Sequence, residues 1–157
     1  MKNKKMYILM IIFVFIDQLS KGIINLLMNL NQSIDIIPNF FRLTYVRNTG
    51  AAFSILSGSR WLFVILSIVS LNIIYRYFIY DKELGKKDTI IYSLLQAGII
   101  GNLIDRVLFG YVIDFFDFNI FGYEFAIFNV ADIFIVVSII LLIIVGDKDG
   151  IFSRKRN

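Results

Sequence analysis

Four apolar runs, each long enough to cross a bilayer, constrain this chain more than any other feature of its sequence. A hydrocarbon core of about 30 Å needs about 20 helical residues. Runs at about 6–29, 61–80, 89–109 and 130–146 meet that length. The first is interrupted by Asp17, Lys21 and Asn25, and the third by Asn102, Asp105 and Arg106 near its end. A water-soluble domain of 157 residues has too little interior for a chain that is 58% apolar and only 18% charged. The same figures exclude a disordered chain. The sequence predicts an all-α integral membrane protein. It has four transmembrane helices, a small extracytoplasmic β-rich portion, and one membrane domain over residues 1–157.

The basic start followed by an apolar run has the outline of a secretory signal peptide. The run continues through Asp17-Gln18-Leu19-Ser20-Lys21 without a small-x-small cleavage site, so it reads as a retained helix. Positive charge sets the topology. Lys2, Lys4, Lys5, Lys82, Lys86, Lys87, Lys148, Arg154, Lys155 and Arg156 fall on one side; Arg42, Arg47 and Arg60 fall on the other. Both termini are therefore expected in the cytoplasm, and segments of about 30–60 and 110–129 outside. Both outer segments hold aromatic and β-branched runs that read as short strands at the membrane surface, with turn signals at Asn48-Thr49-Gly50 and Phe121-Gly122. A net charge of +4 reflects the cytoplasmic anchors, so no nucleic-acid partner is expected.

Ionisable residues inside a membrane cost at least ~2.5–3.5 kcal/mol each on insertion scales. Asp17 lies about 17 Å into the first span, with Lys21 one turn further out. Asn102, Asp105 and Arg106 occupy the outer part of the third span; Asp114 follows it, and Asn129 and Asp132 open the fourth. Ordinary roles exist for each. Asp17 and Lys21 are i,i+4 and neutralise each other. Asn129 and Asp132 have the spacing of a helix cap with a first-turn acid. Arg106 has the place of a snorkelling anchor beside Asp105. Asn48 sits in a turn, and Asp114, Asp117 and Glu124 are acids of an outer loop.

Convergence raises the set above those separate roles. Asp114 and Asp132 lie at one depth near one membrane face, flanked by Asn48, Asn102, Asn129 and Arg106. Two close carboxylates do not both ionise cheaply, so one is held protonated. The ionised one then acts as general base on water, while the protonated one polarises a carbonyl and protonates the leaving amine. The sequence contains no His and no Cys, which excludes a Ser-His or Cys-His triad and an HExxH zinc site. An aspartyl pair needs none of these, and no metal or cofactor.

The motifs resemble those of the lipoprotein signal peptidase (signal peptidase II) family. Asp17-Gln18-Leu19-Ser20-Lys21 is similar to its Asp-Gln-x-x-Lys. Arg47-Asn48-Thr49-Gly50-Ala51-Ala52-Phe53 resembles its Asn-x-Gly-Ala motif, and Gly101-Asn102-Leu103-Ile104-Asp105-Arg106 its Gly-Asn-x-x-Asp-Arg. Tyr111 to Phe115 and Phe128 to Asp132 resemble the blocks that carry its two catalytic aspartates. Five motifs in order on four spans cover nearly the whole chain. One departure is Ile133, where the family often has Ser. The resemblance implies Asp114 and Asp132 as the catalytic pair. It implies Asn48, Gly50, Asn102, Arg106 and Asn129 as pocket or substrate-binding residues, and Asp17, Lys21 and Asp105 as structural support. It also implies a monomer of the bacterial plasma membrane, with its site near the outer face and membrane lipids around it. This monomer would cut diacylglyceryl-modified prolipoproteins just before the lipidated Cys. The outer segments would clamp the substrate. A small transporter or ion-conducting subunit is the rival reading, but the inner halves of the spans hold little beyond Asn72 and Arg76. A Ser20–Lys21 protease is disfavoured because adjacent helix positions do not face each other.

Overall fold

The structure is a computed structural model that describes residues 3–51 and 55–148, with side chains of the last helix described as far as Ile144. Lys2, the Ala52-Phe53 pair of the second motif, and Arg154, Lys155 and Arg156 lie outside the described residues. The chain forms α1 (Lys4–Leu27), β1 (Ser33–Ile37), β2 (Phe41–Asn48), α2 (Arg60–Ile74), α3 (Lys86–Leu108), β3 (Val112–Ile120), β4 (Tyr123–Glu124) and α4 (Val130–Lys148). A π-helical turn, Tyr75–Ile79, extends α2. Lys4–Leu27, Arg60–Ile79 and Lys86–Leu108 are long and apolar enough to cross a membrane; the described apolar stretch of α4, Val130–Ile144, is shorter.

The burial pattern is inverted relative to a water-soluble protein. On α1, Ile11, Phe15 and Leu26 are 63%, 65% and 82% exposed, while Asp17 and Lys21 are buried at 0% and 2%. Water would disfavour both arrangements, whereas a hydrocarbon surround favours both. Helix α3 lies at the centre, packed against α1, α2 and α4. Small residues permit this closeness, as is usual between membrane helices. A Cβ on Gly98 would collide with the Ala131 carbonyl oxygen and the Ile135 side chain, and one on Gly101 would collide with the Asp17 carboxylate. Helix α3 ends where Gly110 takes φ +86 and Arg60 Nη2 donates to the Val107 carbonyl oxygen at 2.6 Å.

The two β-rich segments form a single sheet, antiparallel throughout, in the order β1-β2-β3-β4. Its central pairing joins β2 of the first segment to β3 of the second, a partnership the separate strand readings did not foresee. Val46 pairs with Asp114 and Leu43 with Phe116, so Thr44 and Tyr45 together oppose Phe115 in a β-bulge. The bulge turns both inward: Thr44 Oγ1 donates to Asp117 at 2.7 Å, and the Tyr45 hydroxyl donates to Asn25 Oδ1 on α1 at 2.7 Å. The Phe121-Gly122 turn signal is a two-residue hairpin with φ +53 and +86, as a type I′ turn requires. Ile24 of α1 and Met28 just after it pack with Tyr45, Ile113 and Phe115, seating the sheet on the helices.

The close α3–α4 approach predicts that Gly98→Ala lowers stability by about 1–3 kcal/mol through overpacking. A Cβ on Gly22, by contrast, would meet nothing within 4 Å. Gly22→Ala is therefore expected to raise stability by about 0.5–1 kcal/mol. Thermal unfolding of the two variants in detergent checks this opposite pair of shifts.

Candidate active site

The polar interior is organised around one ammonium group. Lys21 Nζ lies 2.9 Å from Asp17 Oδ2 and 3.0 Å from Asp105 Oδ2, and donates to Asn102 Oδ1 at 3.0 Å. An ammonium has three donors and no acceptor, so this set saturates it. Gln18 Nε2 closes the cluster by donating to Asp17, the Gly101 carbonyl oxygen and Asp105 at 3.0–3.2 Å. Asp17 Oδ1 accepts the Ala131 N–H at 2.9 Å in the first turn of α4, and Asp105 Oδ2 accepts the Ile113 N–H at 3.2 Å on β3. Two carboxylates against one ammonium leave a negative surplus, which meets the positive end of α4. Asp105 thus points into the bundle and not to a helix-end anchor. Asp17 and Lys21 are more than a local pair, because with Asp105 they hold three helices and a strand together.

Three asparagines carry this order to Asp114 and Asp132. Asn102 must turn its carbonyl to Lys21, so its amide nitrogen faces Asp132 Oδ1, at 2.8 Å. Asn129 accepts the Asp132 N–H on its own oxygen, so its amide nitrogen donates to Asp114 Oδ1 at 2.6 Å and to Asn102 Oδ1 at 3.1 Å. Asp132 Oδ2 in turn accepts the Asn129 N–H at 3.1 Å. Asn129 and Asp132 therefore cap α4 reciprocally while serving the pocket. Asn48 accepts the Gly50 N–H at 2.9 Å and donates to Asp114 Oδ2 at 2.9 Å, so its turn role and its pocket role coexist. In each asparagine a donor fixes the carbonyl and thereby aims the amide N–H at a carboxylate.

Asp114 and Asp132 line one cavity of about 570 Å3, together with Asn48, Gly50, Asn102 and Arg106. Ile133 and Val136 of α4 and Phe63 of α2 supply apolar walls, and Ile133 stands where the resemblance led one to expect a hydroxyl. Asp114 is 2% exposed. Burial first, and the neighbouring Asp132 carboxylate second, push Asp114 up to about 7, against the opposing bonds from Asn48 and Asn129. Arg106 does not snorkel to water. Its Nη2 donates to the Gly50 carbonyl oxygen at 3.0 Å and its guanidinium lies 4.7 Å from the Phe63 ring centroid, holding the chain after β2 over the cavity. Asp117 stands apart, held by Arg42 Nε at 2.5 Å and by Thr44. Among the described residues no group of three or more His, Cys, Asp or Glu side chains is arranged to hold a metal ion.

Sequence reasoning gave Gln18 no role beyond its place in the Asp-Gln-x-x-Lys motif, Arg42 none beyond its charge, and Tyr45 none. Gln18 left a signal, since an amide beside Asp17 in mid-span needs partners of its own. Tyr45 and Arg42 left none, because their partners Asn25 and Asp117 are distant in sequence.

Helices long and apolar enough to cross a membrane thus enclose a polar core that presents two carboxylates to one cavity, as a membrane protein with a polar pocket would. Residues 9–146 match the family described as Signal peptidase (SPase) II, and the chain belongs to that family. It is 46% identical over 143 residues to the "Lipoprotein signal peptidase" of Staphylococcus aureus strain MRSA252, covering 90% of this chain and 88% of the relative. The Staphylococcus aureus strain Newman protein of the same name matches equally, at 46% over 143 residues and the same coverage, 90% and 88%. A bacterial membrane enzyme solved by the in meso method at 2.3 Å resolution superposes with a TM-score of 0.84 at 41% identity, covering 97% of this chain and 93% of that one. A second such structure, at 1.9 Å, gives 0.79 at 43%, covering 89% and 90%.

Lys21→Met is expected to cost about 3–5 kcal/mol, because it strands two buried carboxylates. Gln18→Ala, which removes a neutral donor, is expected to cost less. Unfolding midpoints in one detergent rank the two, and an unchanged midpoint for Lys21→Met would contradict a buried ion cluster.

Proposed function

We propose that Asp114 and Asp132 are the catalytic pair with which this chain cuts its substrates. As a signal peptidase II it is an aspartic peptidase of the bacterial membrane that removes signal peptides from prolipoproteins. The observation that carries the assignment is the shared cavity of the two aspartates, at which the amides of Asn48, Asn102 and Asn129 are all aimed. One proton resides on the pair. The ionised carboxylate takes a proton from water as the water oxygen attacks the scissile carbonyl, and the protonated carboxyl hydrogen-bonds the carbonyl oxygen as it becomes negative. Collapse of the tetrahedral intermediate breaks the C–N bond, and the proton taken from water passes to the leaving amine. The asparagines hold both carboxyls in place, and Arg106 holds the Gly50 peptide above them. Asp17, Lys21 and Asp105 act as support.

The substrate is a prolipoprotein whose Cys bears a diacylglyceryl group, and the cut falls just before that Cys. The apolar cavity wall suits an acyl chain or a signal-peptide helix. The whole chain acts as one membrane domain and as a monomer among lipids. Its four spans include α4, both termini are cytoplasmic, and the site lies near the outer face. The excess of Lys and Arg at the ends and in the 80–88 turn supports this orientation. Transport is not favoured, because Asp17, Lys21 and Asp105 in the spans are saturated by one another.

Detergent-purified protein should cleave a diacylglyceryl-modified prolipoprotein, and folded Asp114→Asn and Asp132→Asn should each lose at least ~100-fold in kcat/KM. Loss in only one variant would remove the other aspartate from the pair. Raising the pH through about 7 ionises Asp114 and removes the acid, so kcat/KM should fall about tenfold per unit above that point. The raised value also means that the folded protein binds this proton more tightly than the unfolded chain. Stability should then decline as pH rises from about 4 to 7, less steeply in Asp114→Asn. The native chain has no Cys, so single-Cys variants report topology. Asn31→Cys should react with an impermeant maleimide in intact cells, and Glu83→Cys only after permeabilisation.

A further inference from the structure

A second cavity, of about 410 Å3, adjoins the first. Asn48, Asp114 and the Phe125-Ala126-Ile127 segment line both, so the two form one trough with Asp114 at the seam. Their chemistry differs. The first is walled by Phe63, Ile133 and Val136, the second by Arg42, Arg47, Asp117 and Glu124. A peptide bond held at the seam sends one flank into each.

The segment along the trough has main chain to offer. The Phe125 N–H donates to the Phe118 carbonyl oxygen at 2.9 Å, and the Phe128 N–H donates to that of Phe116 at 3.1 Å. Between these two bonds, the N–H and C=O groups of Ala126 and Ile127 make no hydrogen bond among the described residues. Unpaired main chain beside a sheet is what an added extended peptide pairs with. The two arginines of the second cavity are not equivalent. Arg42 is engaged by Asp117 and Glu124. Arg47 donates through Nε to the Tyr45 hydroxyl at 3.0 Å and lies 4.8 Å from the Tyr111 ring centroid, with no carboxylate partner among the described residues. Its charge is positioned by aromatic rings and left unneutralised.

We infer that the second cavity receives the polypeptide that follows the lipidated Cys of the substrate, extended along Ala126 and Ile127, with Arg47 favouring an acidic side chain there. This rests on the peptidase reading above. The acyl chains and the signal peptide are apolar and belong to the first cavity. The stretch beyond the Cys is the part of the substrate that continues into water on the side of the cut, and the second cavity is the polar continuation of the trough. Arg47 thereby becomes a specificity-determining residue of the known reaction.

The test uses the full-length protein in detergent and synthetic signal-peptide segments bearing a diacylglyceryl-Cys. One ends at the Cys amide. Others continue for four residues, with Asp, Asn or Lys at the second position after the Cys. The extended Asn peptide is expected to exceed the truncated one roughly tenfold in kcat/KM, because remote contacts are spent on the reacting centre. Asp is expected to exceed Lys roughly five-fold in the parent, the scale of an exposed ion pair. Arg47→Gln should bring that ratio to within about two-fold, and Arg47→Glu should reverse it. Equal cleavage of truncated and extended peptides overturns the inference, as does an Asp-to-Lys ratio of one in the parent or one unmoved by Arg47→Gln. If the Arg47 variants do not fold, the length and charge series on the parent decides. Failure of a folded parent to cut any peptide counts instead against the peptidase reading, and removes this inference with it.

Discussion

The structure depends on a single ammonium placed among carboxylates in the membrane interior. Lys21 binds Asp17 from its own helix and Asp105 from α3, and spends its third donor on Asn102. None of these groups is stable there alone, since each unpaired charge in hydrocarbon costs several kcal/mol. Together they satisfy one another and pin α1 to α3. Asp17 accepts the Ala131 N–H on its other oxygen, Oδ1, and Asp105 accepts the Ile113 N–H on the same Oδ2 that faces Lys21, which fixes the start of α4 and the start of β3. Those are the two elements that carry Asp132 and Asp114.

The same ammonium reaches the carboxylate pair through orientation. Because it can only donate, it decides which end of the Asn102 amide faces Asp132. Asn129 and Asn48 are oriented by backbone N–H groups in the same way. The amides therefore stand as prearranged donors before any substrate arrives. Such preorganisation is worth most in a dry, low-dielectric site. The sheet completes the arrangement. The β2–β3 register opposite Asp114 brings Asn48 to it across more than sixty positions of chain, and the bulge at Thr44 and Tyr45 anchors β2 to α1 without disturbing that pairing.

Close packing and polar saturation are linked at α3. Gly98 and Gly101 leave room for the Ala131 carbonyl and the Asp17 carboxylate, so the helices that share charges also touch at their backbones. Shorter separations strengthen every ion and hydrogen bond in the cluster. Apolar side chains on the outer faces are then free to meet lipid, which is why Ile11, Phe15 and Leu26 of α1 stand exposed.

Much of this was legible in sequence. Apolar runs at about 6–29, 61–80, 89–109 and 130–146 lie within a few residues of α1, α2 with its π turn, α3 and α4. Hydropathy is a local property, and the hydrocarbon thickness sets its scale. The turn at Phe121-Gly122, the cap at Asn129 and Asp132, and the i,i+4 pairing of Asp17 with Lys21 are short-range as well, and each is present. What the sequence could not contain were relations between distant segments. These are the pairing of β2 with β3, the tethering of Asp117 by Arg42 and Thr44, the turn of Arg106 toward Gly50, and the role of Gln18 as a bridge. The sequence by itself determined that this chain enters a membrane and which polar residues it carries there, because burial in lipid is read residue by residue. Only the tertiary structure decided which of them face each other and one cavity, because a hydrogen bond needs its two atoms within about 3 Å and chain order does not set that distance.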